Sequence, residues 1–186
     1  LLHIKSNAQT PYQNNYFDCI TLMGVLEHVR DEREILNEIY RILSPNGTIF
    51  IYVHNKGLLS FLDSANLKFI FPALHQFLYS IFYGKELYHR EFVEKKKYGM
   101  IGDFSLGKNW HNHYSKGDLQ KLLDKKFTIV NVWYYSLFLP VLLIVEFIYA
   151  AFFKKTNKLI SLLVKLDNKI GVGLLSYSIV VKCKKN

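Results

Sequence analysis

"YFDCITLMGVLEHVRDEREILNEIYRILSPNGTIFIYV", residues 16–53, reads as strand, helix and strand joined by short connections. Tyr16 to Met23 carries Phe17, Cys19, Ile20 and Leu22 behind the turn-forming Gln13, Asn14 and Asn15, which predicts a short buried strand. Asp31 predicts a helix N-cap, and Glu34 three residues on completes a capping-box pattern. Ile35, Leu36, Ile39, Ile42 and Leu43 then recur at helical spacing, with Glu32, Arg33, Asn37, Glu38 and Arg41 turned outward. Ser44 to Gly47 ends the helix, because Pro45 resists continuation and Gly47 permits a positive φ. Thr48 to Val53 is apolar on both faces, as a parallel strand covered by helices would be. The unit is therefore βαβ, with a right-handed crossover expected.

A related pattern follows downstream. Ser115 predicts an N-cap with Asp118 three residues later, Leu119, Leu122 and Leu123 line one helix face, and Phe127 to Val132 reads as a strand. Ser176 to Cys183 alternates Tyr177, Ile179 and Val181 against Ser178, Val180 and Lys182, which suits a final strand. The expected architecture is α/β with a largely parallel sheet. Two apolar stretches interrupt it. Residues 57–110 begin with aromatic-rich helical patterns, expected as a helical cap insertion, and residues 137–170 are more apolar still.

The chain has 186 residues, a one-domain length, and its 50% hydrophobic content excludes general disorder. A net charge of +9 suits nucleic acid, anionic lipid or an acidic substrate. The lysines fall in small clusters, at Lys95 to Lys97, Lys154 and Lys155, and Lys182 to Lys185, with no nucleic-acid motif around them. An anionic membrane surface is the better electrostatic partner, and nucleic acid is not expected. Cys19 and Cys183 have neither a disulfide framework nor metal-binding spacing, so a reducing cytoplasm is the default expectation.

Tyr16 to Val53 resembles the central segment of class I S-adenosylmethionine (SAM)-dependent methyltransferases, above all the ubiquinone and menaquinone biosynthesis type. The "VLEHV" handover at 25–29 and "RILSPNG" at 41–47 carry the likeness, with "IKSNAQTPYQNNYFD" upstream and "NHYSKGDLQKLLDKKFTIV" downstream. The resemblance implies a Rossmann-like sheet and a SAM cofactor beyond the carboxyl ends of the strands. Met23 and Gly24 would flank that cofactor, and Asn7 and Ala8 would lie along its adenine. Asn7 stands where the family commonly has aspartate, and an amide accepts from the adenine amine without charge assistance.

The likeness begins at the tail of the family's third strand, "LLHIK", with no glycine-rich loop after a first strand. It implies the C-terminal part of a longer methyltransferase, in which a strand order of 3-2-1-4-5-7-6 is represented by strands 3 to 7. The sheet would then be incomplete, the strand at Tyr16 to Leu22 would show an open apolar edge, and this chain alone would bind SAM weakly.

Methyl transfer from a sulfonium is a direct displacement that mainly needs alignment, with a general base where the nucleophile is an oxygen. His28, His54, His111 and His113 are the base candidates, each also readable as a surface or capping residue, and the resemblance favours His113. Some ubiquinone-pathway relatives bind magnesium beside the pair matching Glu27 and His28. Their further glutamate falls at Gly24 here, and one carboxylate with one imidazole suits a hard cation poorly, so no metal is expected.

Residues 132–153 reach the length of a membrane span, with Trp133, Tyr134 and Tyr135 at one end and Lys154 and Lys155 at the other. Pro140 and Glu146 oppose a crossing, and the final strand must return to the same sheet. Helices lying in a membrane interface, or packed as a cap, are the two readings. Both favour an apolar or lipid-linked acceptor. The competing class is a non-catalytic methyltransferase relative acting as a membrane-associated binding or regulatory protein; a dehydrogenase is disfavoured by the "VLEHV" and "RILSPNG" stretches.

Overall fold

The computed structural model describes residues 10–29, 31–94, 111–153 and 155–186. Four strands form one mixed, open sheet: β1 (Phe17–Met23), β2 (Leu43–His54), β3 (Phe127–Tyr135) and β4 (Ser178–Lys185), in the spatial order β1-β2-β4-β3. β1 and β2 pair in parallel, while β4 is antiparallel to both β2 and β3. Three strands thus share one direction and β4 runs against them, inserted between β2 and β3. The order matches the 4-5-7-6 run that the resemblance implies. The strand expected at residues 1–5, together with Asn7 and Ala8, lies outside the described residues.

Helix α1 (Glu32–Ile42) starts where the sequence places it, with Asp31 Oδ1 accepting from the backbone N–H groups of Arg33 (2.9 Å) and Glu34 (3.3 Å). Leu36, Ile39 and Ile42 are its buried face. The handover into β2 differs from the expected turn. Leu43 is already extended, Phe17 pairs with Leu43 and Cys19 with Thr48, so residues 44–47 bulge out of the strand opposite Asp18. The positive φ there belongs to Asn46 (+59°), not to Gly47. Gly47 is needed for space instead, since a Cβ would stand 2.6 Å from Leu43 Cγ.

The short helices of the first insertion are α2 (Leu67–Ile70), α3 (Pro72–Tyr83) and α4 (Lys85–Tyr88), the last running into a π-helical turn at His89–Glu94. Helix α5 (Lys116–Leu123) carries a full capping box, Ser115 Oγ accepting from the Asp118 N–H and Asp118 Oδ2 accepting from the Ser115 N–H. Leu119 and Leu123 bury its inner face. The core gathers these side chains with Ile49, Ile51 and Val53 of β2 and Ile179, Val181 and Cys183 of β4, all fully buried.

β1 is less buried than its apolar run suggests. Only Leu22 is buried, and among the described residues no strand pairs with its outer edge. The apolar run 132–153 is also divided. Trp133, Tyr134 and Tyr135 belong to β3, paired with Val180, Ile179 and Ser178, and so do not anchor a helix. Ser136 (φ +57°) then turns the chain into α6 (Leu139–Phe153), which α7 (Lys158–Asp167) follows. Asp167 Oδ1 accepts from the N–H groups of Leu137 and Phe138 at the start of α6, and Glu146 Oε1 accepts from the Asn157 N–H at the start of α7. Each helix thus closes the N-terminus of the other. Among the described residues no helix is long and apolar enough to cross a membrane.

Candidate functional site

The carboxyl ends of β1 and β2 lie side by side, Met23 opposite Tyr52, and each leads into a loop that carries ionisable side chains. Gly24 ends β1 with φ +60°, a left-handed value that disfavours side chains, and its N–H donates to the Tyr52 carbonyl (3.0 Å). Met23 at this tip is 59% exposed and open to a ligand. Two residues further, the chain folds Leu26 and Glu27 inward, both fully buried.

Glu27 therefore has a definite structural task. Its Oε1 accepts from the backbone N–H of His54 (2.9 Å) and lies 3.3 Å from His54 Nδ1, clamping the loop after β1 onto the end of β2. Burial pushes its carboxyl up, but the His54 bonds outweigh burial and leave its pKa below the usual glutamate value. Glu27 Oε2 is buried with no hydrogen-bond partner among the described residues.

A third segment completes the arrangement. Tyr114 forms a parallel bridge with Asn55, its N–H donating to the His54 carbonyl (2.8 Å), so residues 111–114 extend along the end of β2. In an extended chain alternate side chains share a face. His111 and His113 accordingly turn to one side, while Asn112 reaches towards Glu32 on the other (3.5 Å). Asn66 brackets the backbone of His111, accepting from its N–H and donating to its carbonyl, both at 2.9 Å. Tyr114 fastens the segment to the first loop, its hydroxyl reaching the Leu26 carbonyl (2.8 Å) and Glu32 Oε1 (2.9 Å).

Asp63 is the centre. Its Oδ2 lies 2.5 Å from His111 Nδ1 and 3.0 Å from His113 Nε2, and its Oδ1 accepts from the Ala65 N–H. Burial opposes its charge, yet the two imidazoles overcome burial and hold the carboxyl far below the ordinary aspartate range. The His28 ring packs on His111 with centroids 4.6 Å apart, and the His54 ring lies 4.9 Å from His111 and 6.0 Å from His113. Tyr177 closes against His54 at 4.8 Å. Burial, together with His111 beside it, pushes the His28 pKa down. His113 also lines an open cleft of about 320 Å³ with Lys56, Ser60, Asn112, Tyr114 and Asp118. Lys56 and Asp118 form an ion pair (2.8 Å) on its wall, which holds the Asp118 carboxyl at about 2.

All four histidines singled out in the sequence thus meet at one place, rather than standing apart as surface or capping residues. The fifth member, Asp63, has no motif around it; it is brought in by a 3₁₀ turn, Ser60–Leu62, inside the first insertion. The expectation of no metal concerned Glu27 and His28, whereas the described residues that gather metal-binding atoms are Asp63, His111 and His113.

Residues 2–51 match the family described as the methyltransferase domain. This stretch is similar to methyltransferase domains. It covers β1, α1 and most of β2, the elements that deliver Met23, Gly24, Glu27 and His28. The chain is 34% identical over 73 residues to the ubiquinone/menaquinone biosynthesis C-methyltransferase UbiE of Serratia proteamaculans, and 33% over 73 residues to that of Yersinia enterocolitica. Each alignment takes in 39% of this chain and 29% of the relative's length. Among solved structures, a SAM-dependent methyltransferase of Thermotoga maritima superposes with a TM-score of 0.52 at 15% identity, over 97% of this chain and 61% of that one. The methyltransferase fold therefore extends well beyond the segment that sequence likeness covers.

Proposed function

We propose that the protein takes part in SAM-dependent methyl transfer to an apolar or lipid-linked small molecule. The observation that supports this most is the coincidence of two independent facts. The methyltransferase-domain segment supplies β1 and most of β2, whose carboxyl ends are Met23 and His54, and the largely buried imidazole cluster assembles at those same ends. Ligands of open α/β sheets lie beyond the carboxyl ends of the strands. SAM would lie against Met23 and Gly24 and, beyond the described residues, Asn7 and Ala8. The methyl group passes directly to the acceptor, and the protein supplies alignment and a proton acceptor. We assign the latter role to His113, which lines the cleft and whose Nε2 lies 3.0 Å from Asp63 Oδ2, an arrangement that would leave Nδ1 as the basic atom.

An apolar acceptor is supported by the exposed surface of α6 and α7. α6 and α7 expose Leu143, Ile148, Phe152, Leu159, Leu162 and Leu166, with Lys155, Lys158, Lys165 and Lys169 also exposed. A membrane-facing patch of this kind would hold the protein where an apolar acceptor is dissolved. The C-methylation named for the relatives fits a quinone precursor as one such acceptor.

The test uses the intact gene product with methyl-labelled SAM and a total lipid extract as the acceptor pool. Label should appear in the organic phase, and His113→Ala should slow its transfer by about 10²-fold, the scale of a lost general base. Failure of the intact protein to bind SAM in a calorimetric titration would end this reading. An unchanged rate in His113→Ala would move the proton acceptor elsewhere.

A further inference from the structure

We propose that Asp63, His111 and His113 form a binding site for one divalent transition metal ion of the zinc class. The inference concerns the cluster already described, but it does not rest on methyl transfer, because metal binding is read without turnover. Oδ2 of Asp63, one ring nitrogen of His111 and one of His113 all lie within 4.8 Å of one another. Zinc bonds of about 2.0–2.1 Å to nitrogen and oxygen place tetrahedral ligands roughly 3.3 Å apart. The present separations from Asp63 Oδ2, 2.5 Å to His111 Nδ1 and 3.0 Å to His113 Nε2, need a small outward shift to reach that spacing, and the two imidazole nitrogens, within 4.8 Å of one another, would converge on the ion.

The donor set selects the ion. Two imidazoles and one carboxylate suit zinc and its first-row neighbours, whereas magnesium and calcium prefer an all-oxygen shell. Three protein ligands leave a coordination position for water or an oxygen of a bound molecule, as in catalytic rather than structural zinc sites.

The scaffold around the three residues supports the same conclusion. The His–x–His pair sits on an extended segment that Asn66 grips from both sides of the His111 peptide, and the three side chains are at most 10% exposed. The rings of His28 and His54 pack on His111 and limit its rotation. Among the described residues the ion-pair partners of Asp63 are the imidazoles of His111 and His113, with the Ala65 N–H donating to its other oxygen. A cation on Nε2 leaves Nδ1 of His113 protonated. His113 therefore cannot act as ligand and proton acceptor at the same moment, and zinc occupancy should suppress any reaction that depends on that base.

The experiment is competition for Zn²⁺ between the 186-residue chain and a chromophoric chelator, with Co²⁺ absorption as the second readout. One equivalent of zinc should bind with a Kd of micromolar or tighter, and the Co²⁺-loaded chain should show visible d–d bands. Asp63→Asn and His111→Gln should each weaken zinc binding at least tenfold, while His89→Gln, outside the cluster, should leave it unchanged. X-ray absorption of the zinc-loaded wild type covers the case in which a variant does not fold. A shell of nitrogen and oxygen with two imidazoles supports the site. A sulfur ligand, binding that survives both cluster substitutions in folded protein, or no binding below about 100 μM overturns it. Loss of SAM binding with zinc binding intact would separate this inference from the methyl-transfer reading.

Discussion

At Gly57 a single methyl group would stand 2.0 Å from the Ser176 carbonyl oxygen and 2.7 Å from that of Leu175. Both obstacles are backbone, so nothing can rotate aside. The contact lies where the chain leaves β2 and passes under the loop before β4, one residue from the Lys56 wall of the cleft. Gly57→Ala is therefore expected to destabilise the fold by about 1–3 kcal/mol, the usual scale of overpacking, read as a lower urea midpoint with an unchanged m-value. Nothing in "HNKGLL" announces this requirement, because the space is withheld by residues 118 and 119 positions away. The same holds for Asp63. The histidines could be picked out one by one as titratable side chains, but their convergence depends on three loops meeting at the strand ends. Local spacing carries no record of such a meeting. Caps are different: Asp31 and the Ser115–Asp118 pair were legible because donor, acceptor and helix start are all within three residues.

Among the elements, the first insertion contains an unusual buried group. His75 on α3 is fully buried against Tyr79, Tyr88 and Phe92, and neither ring nitrogen has a hydrogen-bond partner among the described residues. Burial, with Lys68 of α2 nearby, pushes its pKa down to about 4. The unfolded chain, with histidine near 6.5, binds the proton first as pH falls. Stability of this helical unit is thus greatest above pH 6.5 and declines towards pH 4, by on the order of 3 kcal/mol. Amide exchange across residues 72–94 should accelerate over that window, and His75→Phe should remove the dependence. Equal acceleration in the variant would place the titrating group elsewhere. The strands illustrate a different limit of sequence reading. Apolar runs located all four, but β3 continues through Trp133 to Tyr135 because β4 offers it partners, a fact of pairing rather than of hydropathy. The positive φ assigned to Gly47 falls on Asn46, since the bulge is shaped by which residues face β1.

For the molecule as a whole, charge and apolar surface lie together. The net charge is +9, and the exposed leucines and phenylalanines of α6 and α7 accompany exposed lysines. Co-sedimentation with vesicles containing about 30% anionic lipid should be strong at low salt and weaken as salt screens the lysines, with neutral vesicles retaining little. Exchanging Lys158 and Lys165 together for glutamate should shift the anionic-lipid isotherm to at least roughly 30-fold higher lipid concentration, at about 1 kcal/mol per basic residue near the surface. No association with anionic vesicles would leave α6 and α7 as a cap packed for the protein's own sake. Fold class was legible early because residues 16–53 hold a complete crossover unit, whose hydropathy, caps and lengths all agree.

The reversed strand has a consequence for assembly. β2 and β3 never touch one another within the sheet; β4, made after both, is the wedge that joins them. While the ribosome is still producing residues 136–177, each of the two earlier strands has a bare flank, and nothing native is yet available to cover it. Chaperone protection is most valuable to this polypeptide during that interval, and the moment of closure is set by the delivery of Ile179, Val181 and Cys183 rather than by the speed of local helix formation.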